Sequence, residues 1–306
     1  MRILITGASG LLGLNTALEA ADRHMVFGQV NSNAIQSDAF TVLQADLLEP
    51  GAIERLLDQT QPDWVIHCAA LAILEACEND PELARELNTE VPRKLAEQCR
   101  QGGARFLHVS TDAVFDGQTG GYTEQDLPNP LGIYAQTKYQ AELAVAEADS
   151  EALIARVNLF GWSLKGRRSL AEFFFNNLSA GNPVMGFTDV YFCPLLVNDI
   201  AHIFFQMLEK ELTGLYHVLS SECLTKYDFG LRIAHRFGLD SELIAPKSVL
   251  DSSLTAARSP NLTLKVDKLI HALGIIPPTV STGIERFYNL YQQGYPQFIQ
   301  QLADSR

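Results

Sequence analysis

Basic residues are scarce in this chain of 306 residues: 23 Lys and Arg stand against 36 Asp and Glu, a net charge of −13. A nucleic-acid partner needs a basic face to neutralise phosphates, so that class is excluded, while a local pocket for a small anion is not. No run of 18 apolar residues occurs; the longest candidate, 195–208, is broken by Asn198, Asp199 and His202, which excludes a membrane-spanning helix. The sequence opens directly on a strand with no charged and apolar leader, so a cytoplasmic location is expected. The five cysteines, Cys68, Cys77, Cys99, Cys193 and Cys223, are odd in number and include no CxxC pair. The seven histidines show no HxxxH or HExxH spacing. Neither a disulfide framework nor a metal site is expected, and the thiols read as free and buried.

What is present is a globular composition, 47% hydrophobic, with apolar runs that alternate with helical stretches. The pattern reads as strand 2–6, helix 10–22, strands 25–30 and 41–44, helix 51–59, strand 64–67, helix 82–101, strand 105–109, helix 132–148 and strand 152–157. Runs such as WVIHCAA and RFLHVS are apolar on both faces, as in a parallel sheet covered on both sides. The expected fold is therefore α/β, a Rossmann-type doubly wound parallel sheet with a smaller C-terminal substrate lobe. Residues 1–160 are assigned to the dinucleotide-binding domain, with 190–218 returning to it. Residues 161–189 and 219–306 are assigned to the smaller lobe.

Two segments carry chemistry. In MRILITGASGLLG a strand runs into Gly7, Gly10 and Gly13 and then a helix. Glycines there serve a tight turn, close approach of backbone to a pyrophosphate and close helix–strand packing, and the helix start around Ser9, Leu11 and Leu12 offers N–H donors. The bland alternative is a glycine-rich turn with no ligand. Tyr134 and Lys138, spaced YxxxK in PLGIYAQTKYQAE, share one helix face, and Thr111 precedes them in VSTDAVFDG. A lysine ammonium favours phenolate, and a hydroxyl can hydrogen-bond a reacting oxygen, so the set suits proton transfer at a carbonyl or alcohol. A surface helix carrying Tyr and Lys by chance is the alternative. After the second strand, VFGQVNSN lacks the acid that would bind an adenosine 2′-hydroxyl. Asn31 and Ser32 could bond a 2′-phosphate instead, so NADP is expected, with NAD as the alternative.

TGASGLLG, DLLEP at 46–50, HCAA at 67–70, VSTDAVFDG at 109–117 and YxxxK together resemble an extended short-chain dehydrogenase/reductase. STDAVFDG followed by PNPLGIYAQTK most resembles the dTDP-4-dehydrorhamnose reductase branch. The resemblance implies adenine contact at Asp46 and Leu47, cofactor packing on Cys68, Ala69 and Ala70, and catalysis by Thr111, Tyr134 and Lys138. It also implies substrate contacts at Glu75, Asp112 and Arg258. His67 reads as a core histidine. Where that branch carries DQ-x-G-x-PT, this chain has Asp189 to Leu195, keeping the Asp and Pro but losing the Gln, Gly and Thr. The activity so implied is reduction of a 4-keto-deoxysugar nucleotide, a small-molecule partner, with a homodimer allowed for. Two alternatives stay open: a nucleotide-sugar epimerase or dehydratase that retains NAD⁺, and a non-catalytic NADP-binding regulatory subunit resembling the β subunit of methionine adenosyltransferase.

Overall fold

A computed structural model describes residues 1–251 and 259–303. Strands β1 (Arg2–Thr6), β2 (Met25–Val30), β3 (Thr41–Gln44), β4 (Trp64–His67), β5 (Arg105–Thr111) and β6 (Leu153–Val157) join an edge strand, Gly214–Val218, in one seven-stranded sheet. Its order is Gly214–Val218, β6, β5, β4, β1, β2, β3, and every pairing in it is parallel. The helices that matter here are α1 (Leu11–Ala21), α2 (Ala52–Thr60), α3 (Leu74–Asn79), α4 (Pro81–Arg85), α5 (Val91–Gly102), α6 (Ile133–Ala148), α7 (Leu170–Ser179), α8 (Val197–Glu209) and α9 (Lys226–Phe237).

Successive side chains of a strand point to opposite faces, so a strand apolar on both needs cover on both. Leu4, Val65, Phe106 and Ile154 pack with Ile53 and Leu56 of α2, Val91 and Leu95 of α5 and Val145 of α6. Ile3, Ile5, Ile66, Leu107, Leu153 and Ala155 belong to the second face, with Leu14 and Ala17 of α1 and Ile200 and Phe204 of α8. The result is a doubly wound α/β fold.

That second core continues without a break into a smaller body built on α7, α9 and the helix Val280–Gln292. Aromatic rings make the join: Trp162 stacks on Phe287 at 3.9 Å and 10°, its indole N–H donates to the Phe287 carbonyl at 3.0 Å, and Phe160 meets Phe229 edge-on at 5.2 Å. Offset and edge-on pairs of this kind add stabilisation beyond the area they bury.

Two sequence expectations are corrected. The helix expected over 82–101 is interrupted: α4 passes into a π-helical turn, Glu86–Glu90, before α5 begins. Pro92 supplies no N–H and crowds the carbonyl of Asn88, so a regular α-helix cannot run through this point. The thiols are not all free, since Cys193 and Cys223 form a disulfide. Tyr191–Phe192 pairs antiparallel with Leu224–Thr225, Phe192 opposite Leu224, which puts the next residue on one strand beside the preceding residue on the other. Spacing along the chain carries no trace of that pairing. Cys77 and Cys99 are buried free thiols, and Cys68 is free and half-buried.

Candidate functional site

The strand ends that face each other across the middle of the sheet create the first half of the site. β1 lies between β2 and β4, so the chain reverses winding beside β1, where a doubly wound sheet opens a crevice. Gly7 takes φ +69°, and a Cβ there would lie 2.8 Å from the Ala69 backbone at the end of β4. A Cβ on Gly13 would lie 2.3 Å from the Gly7 carbonyl oxygen. Both positions are closed to any side chain, which brings the turn against β4 and α1 against the turn. Gly10 is the N-cap of α1; no side chain caps that helix and no acid stands in its first turn, so its leading N–H groups and positive dipole end remain open to an anion. A dinucleotide pyrophosphate fits that cradle. Gln29 holds the turn from below, accepting from Gly7 N at 3.0 Å and donating to the Ala45 carbonyl at 2.7 Å. No sequence pattern singled it out.

Around this cradle the expected residues divide. Ser9 and Leu11 line its outer edge, Leu12 is buried, and Asn31 and Ser32 are exposed just past β2. Asp46 accepts from Leu48 N at 3.0 Å, a turn-capping role, and Leu47 is buried in the core under the sheet. Cys68 and Ala69 are half-buried at the end of β4 and Ala70 is exposed; burial pushes the Cys68 thiol up to about 12. His67 is buried, its Nδ1 2.7 Å from the Thr6 hydroxyl.

The second half is a cleft of about 590 Å³ lined by, among others, Glu75, Glu78, Tyr134, Asn158, Tyr191 and Lys226. Tyr134 stands in the first turn of α6 on the cleft wall, and Thr111 lies beside its phenol at the end of β5. Burial holds the phenol up at about 12, so it carries its proton at neutral pH. Asp112 follows, with Asn158 Nδ2 donating to it at 2.6 Å and Thr111 Oγ1 at 3.2 Å; burial lifts its carboxyl to about 6 against those bonds. Glu75 is exposed on the cleft wall, and Arg258 lies outside the described residues. Asp189 is bound to Ser248 Oγ at 2.5 Å and to Val249 N at 2.8 Å and does not line the cleft.

Lys138 is one turn beyond Tyr134 and buried, and its Nζ donates to the Val109 carbonyl at 2.7 Å and lies 3.1 Å from His108 Nε2. Burial lowers its pKa to about 8, opposed by Glu142. His108 is itself held well below its ordinary value by burial and by Lys138, so it is neutral and its Nε2 accepts a hydrogen bond from the ammonium. The expected Lys138 influence on the phenol is not formed here, because the ammonium points at His108 and not at Tyr134. Behind it, Glu142 takes Arg156 Nε at 2.9 Å, Arg156 NH2 at 2.7 Å and Ser110 Oγ at 2.5 Å, a buried ion pair with its lone pairs satisfied.

The π-helical turn has a purpose in this geometry. It aims Asn88, whose Oδ1 accepts from Leu71 N at 2.8 Å and whose Nδ2 donates to the Leu71 carbonyl at 3.1 Å and to Thr137 Oγ1 at 3.2 Å. Thr89 Oγ1 donates to the Thr137 carbonyl at 2.8 Å. The loop after β4 is thus fixed by Asn88, and the turn of α6 between Tyr134 and Lys138 by Asn88 and Thr89 together, both from a distorted helix. Pro92 inside a helical pattern was the available signal for it.

Fold and crevice define the class: a Rossmann-type chain of the extended short-chain dehydrogenase/reductase kind. More particularly, it belongs to the RmlD substrate-binding-domain family, whose model matches residues 1–293. It is 33% identical over 290 residues to the probable low-salt glycan biosynthesis reductase Agl14 of Haloferax volcanii, covering 93% of this chain and 96% of that one. It is also 33% identical over 287 residues to methionine adenosyltransferase 2 subunit beta of Rattus norvegicus, covering 90% and 83%. A hypothetical dTDP-4-dehydrorhamnose reductase from Sulfolobus tokodaii superposes with a TM-score of 0.81 at 28% identity, covering 91% and 97%. A dTDP-4-dehydrorhamnose reductase from Bacillus anthracis in complex with NADP shares the fold, with a TM-score of 0.81 at 23% identity over 94% and 98%.

Proposed function

We propose that this chain is an NADP(H)-dependent reductase of a 4-keto-deoxysugar nucleotide, with residues 1–160 and 190–218 holding the dinucleotide and the remaining lobe holding the sugar. The observation that carries the reading is the placement of Tyr134, at the start of α6, on the wall of a cleft, with Thr111 beside it at the end of β5. A bound nicotinamide supplies hydride. Tyr134, protonated at neutral pH, gives its proton to the carbonyl oxygen as negative charge develops there, and Thr111 donates a hydrogen bond to the same oxygen. Gly7, Gly10 and Gly13 with the N-terminus of α1 take the pyrophosphate. Lys138, one turn further along the same helix, would hold a cofactor ribose and, as a positive charge near the phenol, would favour the phenolate left behind.

The test is Tyr134→Phe, which removes one oxygen and keeps the ring. The expected outcome is a fall in kcat of about 10²–10⁴-fold on a 4-keto sugar nucleotide, with NADPH affinity and melting temperature unchanged. Lys138→Met should weaken NADPH binding as well as slow turnover. A wild-type rate in Tyr134→Phe refutes the mechanism. The relationship to the methionine adenosyltransferase subunit supports a second reading, a dinucleotide-binding regulatory subunit; NADPH binding with no turnover across a panel of keto-sugar nucleotides would favour it.

A further inference from the structure

The turn after β2 offers Asn31, Ser32 and Asn33 and no cation, so a 2′-phosphate placed there would lack a counter-charge. The fold brings one from far along the chain. A small pocket lies between Ser9 and Leu11 of the glycine-rich turn, Asn33, and the loop carrying Ser163, Leu164, Lys165 and Arg168. Lys165 Nζ reaches across it to Asn33 Oδ1 at 3.1 Å. In a chain of net charge −13, the SLKGRRSL segment places three cations, Lys165, Arg167 and Arg168, within four residues.

The backbone of this loop is rigidly held. Buried Glu172 accepts from the backbone N–H groups of Ser163 at 2.6 Å, Arg168 at 2.7 Å and Ser169 at 3.1 Å, and Ser163 Oγ accepts from Arg167 N and Arg168 N at 3.2 and 3.3 Å. Asn15 of α1 anchors its start by donating to the Trp162 carbonyl at 3.0 Å. The Glu172 carboxylate is therefore committed to donors of its own loop, the Ser163 hydroxyl among them. The Arg168 guanidinium makes no hydrogen bond or ion pair with a described residue, although it lines the pocket and is exposed.

We propose that Lys165 and Arg168 hold the 2′-phosphate of NADP(H), clamping it against Ser9 and Asn33 from the loop that precedes α7. This rests on the reading of the glycine-rich turn as a dinucleotide cradle and adds the residues that choose between NADP(H) and NAD(H). Arg168 presents a planar fork that suits phosphate oxygens, and Lys165 a point charge already within reach of the pocket wall. Each charge-assisted contact is worth about tenfold or more in affinity.

Calorimetric titration of NADPH and NADH into wild type, Lys165→Ala, Arg168→Ala, the double variant and Arg168→Lys tests this. Both side chains are exposed, and thermal melts of the variants will match wild type. Wild type is expected to prefer NADPH; each single alanine variant loses about tenfold or more for NADPH and the double variant about 100-fold, while NADH affinity stays within about threefold. Arg168→Lys recovers part of the loss, and the NADPH preference weakens with added salt. Equal affinity of wild type for the two dinucleotides, or equal losses for both in the variants, overturns the clamp and leaves the cradle standing. A wild type that binds neither overturns the proposed function itself and the clamp with it.

Discussion

Asp112→Asn should make the protein more stable at neutral pH and leave it unchanged in acid. The carboxyl is buried between Asn158 and Thr111, and its pKa rises from an ordinary 3.8 to about 6 because burial disfavours the charged form more than the two hydrogen bonds favour it. Folded value above unfolded value means that the contribution to stability is present in full below 3.8 and is lost as the pH rises through about 6. Two units at about 1.4 kcal/mol each give about 3 kcal/mol that the wild type forfeits by neutral pH. Asparagine keeps an oxygen for the Asn158 amide and has no charge to bury, so it escapes that loss. Urea denaturation of both proteins from about pH 4 to about pH 8 measures it. All other titrating groups are shared, so the difference in unfolding free energy isolates this one. The variant should gain about 3 kcal/mol relative to wild type across that range, most of it between about pH 4 and about pH 6. Parallel stability curves would refute the assignment of a strained, buried carboxyl beside Thr111.

Gly13→Ala should destabilise the fold by about 3 kcal/mol, because its Cβ would meet the Gly7 carbonyl oxygen at 2.3 Å, further than either backbone can retreat; Gly10→Ala, whose Cβ would lie 3.1 Å from the same atom and needs it to give only slightly, should cost about 1 kcal/mol, and equal melting of the two variants contradicts the packing account. Glu142→Ala strands the buried Arg156 guanidinium and should cost about 3–5 kcal/mol, most of which Glu142→Leu combined with Arg156→Met restores. A loss under about 1 kcal/mol by chemical denaturation would show that water reaches the pair.

Much of this architecture was legible because its causes are local. Apolar runs fixed the positions of β1 to β6 to within two residues, and three glycines before a helix marked the turn that Gly7 and Gly13 close. YxxxK put Tyr134 and Lys138 on α6, yet it could not say where the ammonium points. That is set by His108 on β5, a neighbour only through the sheet. Gln29, Asn88 and the Cys193–Cys223 pair escaped notice for the same reason: each acts on a partner brought near by strand order or by a helical distortion, and nothing in its own surroundings along the chain records the meeting. Arg168 was overlooked because it lies more than a hundred residues from the turn it faces.

The position of the strand Gly214–Val218 bears on how such proteins can be cut and recombined. It completes the sheet beside β6 only after the chain has left to build α7 and the strand Val184–Phe187, and α8, which covers α1, arrives on the same return. A fragment ending after β6 would leave that strand as a bare edge and strip one side of α1; the complementary fragment would carry α8 and Gly214–Val218 with no sheet to join. The two halves are stitched through each other and cannot be exchanged as cassettes. Variation in what the smaller body recognises therefore has to proceed by altering loops on an undivided chain, not by swapping a module.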